Sequence, residues 1–171
     1  MMNVILIGFM GSGKSAIGHK LARELGMDYL DTDEIIEKTE KMPINDIFAQ
    51  KGEPHFRSLE TEVIKTLQDY DNFVISTGGG MVLREENVKM LREIGPLVLL
   101  WAEPEVVYQR VKRETHRPLL NVSDPKAEIK KILDYRTPIY NRVADLKVDT
   151  SKLNVGEAVA KITQWLKSKS I

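Results

Sequence analysis

The chain has 171 residues, of which 42% are hydrophobic, and its 25 basic and 25 acidic side chains give a formal net charge of zero. This length fits a single domain spanning residues 1–171, and the balanced charge argues against nucleic acid or a membrane surface as a partner. Cysteine is absent, which excludes disulfides and thiolate zinc sites, and the three histidines are too scattered to suggest a metal site.

The N-terminus carries no pattern of a secretory signal. Its apolar run is only about eight residues long, without a basic region before it or an A-x-A cleavage site after it. No other stretch approaches the roughly 18 apolar residues that a membrane-spanning helix needs. We therefore expect a cytoplasmic protein.

Apolar runs of strand length recur along the chain and alternate with helical patterns. The predicted strands are Asn3–Ile7, Met27–Leu30, Asn72–Ser76, Pro96–Trp101 and Leu146–Val148. Strands that alternate with helices are joined by crossover connections, which favour a mostly parallel sheet with helices on both faces. The predicted fold class is α/β.

Two helices are predicted near the C-terminus, one from its start signal and the other from its apolar face. One begins at Ser123–Pro125, a capping residue followed by proline in the first turn, and Pro138 should end or kink it. The polar, arginine-bearing residues 114–122 before it predict a loop long enough to be functional. The last helix has an apolar stripe at helical spacing, formed by Val155, Val159, Ile162 and Leu166.

The first strand leads into a glycine-rich stretch, Gly8–Ser15, which matches G-x-x-x-x-G-K-S/T and which we name the phosphate loop. Glycines let such a loop wrap closely, so that its backbone N–H groups and a helix starting near Lys14 point at one anion. Lys14 would reach the outer phosphates and Ser15 a magnesium ion. The pattern predicts a nucleoside triphosphate, above all ATP, against the alternative of a plain glycine-rich turn. The predicted ATP contacts here are Gly11, Ser12, Gly13, Lys14, Ser15 and Ala16.

Three further stretches should meet at the carboxyl ends of the strands, where ligands bind in open parallel sheets. They are Asp31–Asp33, Gly52–Glu60 and Thr77–Gly80, the last of which contains the glycine turn Gly78–Gly80. Each has an ordinary explanation alone, because Asp33 could cap a helix, Arg57 could pair with neighbouring glutamates, and the glycines could be a flexible turn. Next to a phosphate loop, they indicate instead a site for an acceptor molecule.

This ordered set of motifs resembles the shikimate kinase family over nearly the whole chain. The resemblance is carried by the phosphate loop together with Asp31-Thr32-Asp33, Phe56-Arg57-x-x-Glu60, Thr77-Gly78-Gly79-Gly80, Arg117-Pro118-Leu119-Leu120, Tyr135-Arg136-x-Pro138-x-Tyr140 and Ala144-Asp145. It implies a three-layer α/β/α P-loop kinase fold whose five parallel strands have the order 2-3-1-4-5. It also implies a monomeric enzyme that transfers the γ-phosphate of ATP to the 3-hydroxyl of shikimate, a step of aromatic amino acid biosynthesis.

The resemblance implies roles for the acceptor-site residues, which belong to a region at about 32–60 and to later motifs. Arg57 and Arg136 would bind the shikimate carboxylate, since guanidinium groups match a carboxylate bidentately, and Glu60 would hold Arg57 in place. Asp33 would orient the reacting hydroxyl first and act as a base second. Backbone N–H groups of the glycine turn would reach the ring, and the residues concerned are Gly78, Gly79 and Gly80.

On the ATP side, the resemblance implies that Lys14 and Mg²⁺ stabilise the transferred group. Asp31 would hold a water on a magnesium ion bound by Ser15. Arg117, in a lid loop at about 112–124, would close over the phosphates as a third catalytic residue beside Lys14 and Asp33. Weaker candidates for flanking the adenine are Arg110 and Lys152.

Two other functions stay open at this stage. A gluconate or nucleoside monophosphate kinase would share the build, but a nucleotide acceptor would need contacts to a base and a second phosphate. A non-catalytic ATP-binding module would be expected to lack Asp33, Arg57 or Arg136, and all three are present.

Overall fold

The computed structural model describes residues 2–114 and 121–169, and its centre is one parallel sheet. The strands are β1 (Val4–Ile7), β2 (Asp28–Asp31), β3 (Phe73–Ser76), β4 (Leu97–Trp101) and β5 (Leu146–Asp149). Their order across the sheet is β2-β3-β1-β4-β5, and every neighbouring pair is parallel. The predicted α/β class and strand order are confirmed, and each predicted strand end lies within one residue of the observed one.

Helices connect the strands and cover both faces of the sheet. They are α1 (Lys14–Leu25), α2 (Thr32–Glu40), α3 (Ile44–Lys51), α4 (Glu53–Leu67), α5 (Glu85–Ile94), α6 (Pro104–Val111), α7 (Pro125–Val143) and α8 (Val155–Lys169). A short 3₁₀ turn, Met81–Leu83, follows the glycine turn. Among the helices described, none is long and apolar enough to cross a membrane.

Two hydrophobic cores sandwich the sheet, and β1 contributes to both because its side chains alternate between the faces. Val4 and Leu6 pack with residues of α1 and α8, whereas Ile5 and Ile7 pack with residues of the other helices. All four side chains are completely buried. The central strand is therefore held rigidly, and the phosphate loop leaves directly from its end.

Helix α7 begins as predicted but does not end at Pro138. The Asp124 side chain caps it by accepting a hydrogen bond from Ala127 N at 3.2 Å, and the helix continues beyond Pro138 to Val143. Proline removes one backbone hydrogen bond, but the buried side chains of Tyr140 and Val143 pack this last part of the helix into the core. Packing outweighs the missing bond, so Pro138 does not terminate the helix.

The apolar stripe predicted for the last helix is largely confirmed in α8. Val159, Ile162 and Leu166 are buried against α1 and the sheet, while Val155, the first residue of the helix, is exposed.

Candidate active site

One cleft of about 1150 Å³ opens at the carboxyl ends of β1, β2 and β3. Its walls come from the phosphate loop, from the start of α2, from α4, from the glycine turn and from α7. The cleft therefore brings most of the predicted nucleotide contacts and all the predicted acceptor contacts into one continuous space, as expected for parallel strands. Ser12 is buried and is not among the described residues that line the cleft.

Glycines shape the phosphate loop. Gly8 and Gly11 have positive φ angles of 143° and 71°. A Cβ atom added to Gly8 would collide with the Leu100 carbonyl oxygen, and one added to Gly11 would lie 2.8 Å from the Val111 side chain. Helix α1 begins at Lys14 as predicted, and Lys14 Nζ donates to the carbonyl oxygens of Gly8 at 2.5 Å and Phe9 at 2.9 Å. The loop thus combines a cationic side chain with a helix N-terminus, a combination that suits polyphosphate.

Asp31, not Asp33, caps helix α2. Asp31 Oδ1 accepts a hydrogen bond from Asp33 N at 2.8 Å, so the simple explanation of Asp33 as a helix cap is wrong. The Asp33 carboxylate instead faces the glycine turn, where a Cβ atom built on Gly78 would lie 2.9 Å from Asp33 Oδ1 and 2.9 Å from Glu60 Oε2. Two carboxylates therefore converge on the backbone of one glycine.

Arg57 makes both ion pairs that its position in the helix suggested. It donates to Glu60 Oε1 at 2.7 Å and to Glu53 Oε1 at 3.2 Å. A Cβ atom on Gly80 would collide with the guanidinium group, so the same side chain also lies against the glycine turn. The ion pairs and the predicted place at the cleft are thus compatible, because the two glutamates hold the Arg57 guanidinium group at the cleft.

Burial and charge shift the pKa values of this pair. Burial raises the pKa of Glu60 to about 6, although the charge of Arg57 lowers it, and the charge of Asp33 raises it further. Burial acts to lower the pKa of Arg57, but the carboxylates of Glu60 and Glu53 outweigh it and the pKa is raised. Near neutral pH, Glu60 is therefore mostly ionised and Arg57 stays cationic.

Arg136, on α7, also reaches the glycine turn. Its Nη1 atom would lie 3.3 Å from a Cβ atom built on Gly79, and its guanidinium group lies over the Phe9 ring with Cζ 5.6 Å from the centroid. Since Arg57 contacts Gly80, the two guanidinium groups lie beside neighbouring residues. This arrangement fits a planar anion held between two cations.

The residues predicted for magnesium suit that ion. Ser15 and Asp31 both line the cleft and supply hard oxygen ligands, one a hydroxyl and one a carboxylate. In residues 2–114 and 121–169, no group of three or more His, Cys, Asp or Glu side chains could hold a metal by itself. An ion here would depend on phosphate oxygens and water, which is how Mg²⁺ commonly binds with nucleotides.

A family model described as shikimate kinase matches residues 10–167 of the chain. The chain belongs to the shikimate kinase family. It is 45% identical to a shikimate kinase of Thermodesulfovibrio yellowstonii, covering 95% of this chain and 93% of that protein. It is 46% identical to that of Pelotomaculum thermopropionicum, covering 98% of this chain and 96% of that protein.

A solved structure gives the same assignment. Shikimate kinase from Acinetobacter baumannii in complex with shikimate has a TM-score of 0.94 and 34% sequence identity, covering 100% of this chain and 96% of that one. The match extends over the sheet, both helical layers and the cleft. As a member of the shikimate kinase family with this P-loop kinase fold, the chain is an ATP-dependent kinase and a transferase.

The predicted adenine and lid residues are less well placed than the rest of the family motifs. Arg110 lines the cleft, but it donates to the carbonyl oxygens of Gly11 at 2.9 Å and Thr150 at 2.7 Å. Lys152 is exposed and is not among the described residues that line the cleft. Arg117 lies outside the described residues. These three roles stay predictions.

Some buried polar residues of this shikimate kinase family member had no role in the sequence analysis. The Thr150 hydroxyl donates to Ser12 O at 2.8 Å and thereby ties the phosphate loop to the end of β5. Tyr140 OH donates to Gly79 O at 2.6 Å, and burial raises its pKa, which keeps this donor protonated. Tyr140 belongs to a motif that carried the resemblance, but no local signal marks Thr150.

Proposed function

We propose that this protein transfers the γ-phosphoryl group of ATP to the 3-hydroxyl of shikimate, giving shikimate 3-phosphate and ADP. One observation carries the proposal: at the glycine turn, the carboxylates of Asp33 and Glu60 lie beside Gly78, and the guanidinium groups of Arg136 and Arg57 lie beside Gly79 and Gly80. Shikimate has matching chemistry, since its small ring carries one carboxylate and three hydroxyls. The shikimate-bound relative with a TM-score of 0.94 supports this choice of acceptor.

Arg57 and Arg136 bind the substrate carboxylate in this proposal. Guanidinium groups present paired N–H donors in the plane of a carboxylate, which a lysine ammonium cannot copy. Glu60 keeps Arg57 in position through the 2.7 Å ion pair, so little side-chain entropy is lost when the substrate binds. The backbone N–H groups of Gly78, Gly79 and Gly80 approach the ring, because no Cβ atom separates them from it.

Asp33 orients the reacting hydroxyl towards the phosphate loop and accepts its proton as the phosphoryl group is transferred. In phosphoryl transfer the protein mainly positions reactants and neutralises charge, so orientation contributes more than strong basicity. Lys14 supplies positive charge at the transferred group, and Arg117 adds to it from the lid loop at about 112–124.

The backbone N–H groups of Gly11–Ala16 bind the phosphates, while Arg110 and Lys152 flank the adenine. Ser15 would hold Mg²⁺ directly and Asp31 would hold it through a water. When bound, this ion neutralises phosphate charge during the transfer. Residues at about 32–60 form the acceptor-binding region within a single domain, 1–171.

We also propose that the protein works as a monomer in the cytoplasm, where its phosphoryl donor ATP is available. Light scattering on a size-exclusion column tests the first point. It should give the mass of one chain, 19.5 kDa, and a mass of twice that value would contradict it.

ADP release in a coupled assay tests the proposed reaction. With ATP and Mg²⁺ present, shikimate should stimulate ADP release, whereas shikimate methyl ester, which lacks the charged carboxylate, should stimulate it poorly. Stimulation by gluconate or by a nucleoside monophosphate in place of shikimate would assign another small-molecule kinase. ATP binding without stimulation by any of these acceptors would indicate a non-catalytic module.

A further inference from the structure

The glycine turn is tied by side-chain hydrogen bonds to the helices that carry the acceptor-binding groups. Helix α2, which carries Asp33, is tied through Thr32, whose Oγ1 accepts a hydrogen bond from Gly78 N at 3.2 Å. Helix α7, which carries Arg136, is tied through Tyr140 OH, which donates to the turn at 2.6 Å. Each of these tethers lies within four residues of the acceptor-binding side chain on its own helix.

A two-residue bridge makes the connection to α4. Thr61 Oγ1 donates to Asn87 Oδ1 at 2.8 Å, and Asn87 Nδ2 donates to Met81 O at 2.9 Å. Thr61 directly follows Glu60 in the sequence, and Met81 directly follows Gly80. The bridge therefore joins the neighbour of an acceptor-site carboxylate to the neighbour of an acceptor-site glycine.

The bridge is buried, so each of its polar groups needs a hydrogen-bond partner within the protein. Asn87 is 1% exposed and Thr61 is 7% exposed. Both ends of the Asn87 amide are paired with groups from different elements, so its orientation is determined by the bridge. Away from water, loss of one of these bonds leaves its partner without compensation.

The geometry of α4 links this bridge to Arg57. Arg57 lies one helical turn before Thr61, and its guanidinium group contacts Gly80 at the other end of the same bridge. A rotation or shift of α4 relative to the turn would break the Thr61–Asn87 bond and move the guanidinium group away from the turn. The bridge thus joins α4 to the turn next to the place where the Arg57 guanidinium meets Gly80.

We propose that Thr61 and Asn87 are positioning residues for the acceptor site, which hold Arg57 at the distance from the glycine turn that binds the substrate carboxylate. This rests on the proposed function, because it takes the acceptor to be a small carboxylic acid. Neither Thr61 nor Asn87 is among the described residues that line the cleft, so their effect passes through Arg57 and Glu60.

Three variants test the bridge: Thr61→Val, Asn87→Leu and the double variant. Each single variant should raise the shikimate KM about three- to tenfold, as expected for loss of one hydrogen bond, and leave the ATP KM unchanged. The double variant should show a rise in the shikimate KM similar to that of each single variant, not the product of the two rises, because all three variants break the same bridge. Thr61→Ser keeps the hydroxyl and should retain the wild-type shikimate KM.

Thr66→Val is the matched control. Thr66 is in the last turn of α4, and its hydroxyl donates to Val63 O at 2.7 Å within the same helix. Its loss can lower the melting temperature but should leave the shikimate KM unchanged. A merely structural role for the bridge would instead give lower stability with both KM values unaltered.

A folded Thr61→Val protein with an unchanged shikimate KM would overturn the proposal. So would an equal rise in both KM values, or the same rise in Thr66→Val. If Thr61→Val does not fold, the same comparison is made with Thr61→Ala. A wild-type protein without shikimate-dependent ADP release would refute the proposed function itself, whereas an active wild type with unaffected variants would refute only this inference.

Discussion

The two halves of the cleft are built in opposite ways. The phosphate loop is a run of consecutive residues, Gly8–Ser15, shaped mainly by its own glycines and by the helix that begins at Lys14, although Thr150 and Arg110 also bond to its carbonyl oxygens. The proposed acceptor half instead takes Asp33 from α2, Arg57 from α4 and Arg136 from α7, and these side chains come together at the glycine turn. The nucleotide half therefore depends mainly on local backbone geometry, and the acceptor half on long-range packing.

This contrast has a consequence for substitutions. Changes in the acceptor half should alter the shikimate KM and kcat/KM and leave ATP binding intact, because different elements carry the two proposed sets of contacts. A substitution in the acceptor half that weakened the binding of both substrates equally would argue against two separately built halves.

The largest effect is expected for Asp33→Asn, which keeps the shape of the side chain but removes its charge and basicity. We expect kcat to fall about 10²- to 10⁴-fold, with near-normal ATP affinity. Steady-state kinetics and titration with a fluorescent nucleotide measure the two quantities. Asp46→Asn, an exposed position in the same region, is the control, and wild-type turnover in Asp33→Asn would refute the assigned role.

Arg136→Ala should lower kcat/KM for shikimate about 10²-fold, as expected when a charged hydrogen-bond pair is lost. The ATP KM should not change. Arg136→Lys should recover only part of the loss, because an ammonium group cannot bind a carboxylate bidentately. Arg142→Ala, at an exposed position of the same helix, should behave as wild type, and an unchanged shikimate KM in Arg136→Ala would exclude Arg136 from the site.

Gly80→Ala separates steric effects from backbone strain. Gly80 has an ordinary φ of −99°, so the backbone accepts alanine, but the new methyl group displaces the Arg57 guanidinium. We expect a folded protein whose kcat/KM for shikimate is lower by about tenfold. Gly26 has the opposite combination, a positive φ of 65° with no neighbour of an added Cβ atom within 4 Å. Gly26→Ala should therefore lower the melting temperature without changing the KM of either substrate. The idea fails if Gly80→Ala keeps the wild-type shikimate KM.

The smallest effect concerns pH and Glu60. Because its pKa is about 6, kcat/KM for shikimate should decrease as the pH falls through about 6, where the neutral carboxyl holds Arg57 less firmly. The ATP KM should be constant over this range. Glu60→Gln should abolish this limb of the pH profile, and an identical profile in the variant would contradict the assignment.

The stability contribution of Glu60 has the opposite sign. Its pKa in the folded protein exceeds the ordinary value of 4.5, so the folded state binds this proton more tightly than the unfolded chain does. The resulting stabilisation of the folded state is fully present below a pH of about 4.5 and is lost as the pH rises through about 6. Function and stability therefore respond to this one carboxyl group in opposite directions.

The sheet and the phosphate loop could be predicted because their signals are local. Five short apolar runs mark the strands to within one residue, and the spacing of Gly8, Gly13 and Lys14 marks the loop. The acceptor residues could be named through the family motifs. Local reasoning left Arg57 ambiguous, and the structure shows that its ion pairs and its place at the cleft are compatible.

The features that could not be predicted depend on tertiary packing. Asp31 rather than Asp33 caps α2 because the helix begins at Thr32, directly after the end of β2. Helix α7 continues past Pro138 because Tyr140 is drawn into the core. The contact between Thr61 and Asn87 joins residues from separate helices, so neither residue has a signal in its own neighbourhood.

We propose that two guanidinium groups and one carboxylate, gathered at the glycine turn, hold a small acid beside the nucleotide. A crystal structure with shikimate and ADP bound is the most direct measurement. It should place the shikimate carboxylate between Arg57 and Arg136, with the 3-hydroxyl at Asp33 and the ADP phosphates in the phosphate loop. A carboxylate bound away from both arginines, or a ring turned so that another hydroxyl meets Asp33, would contradict it.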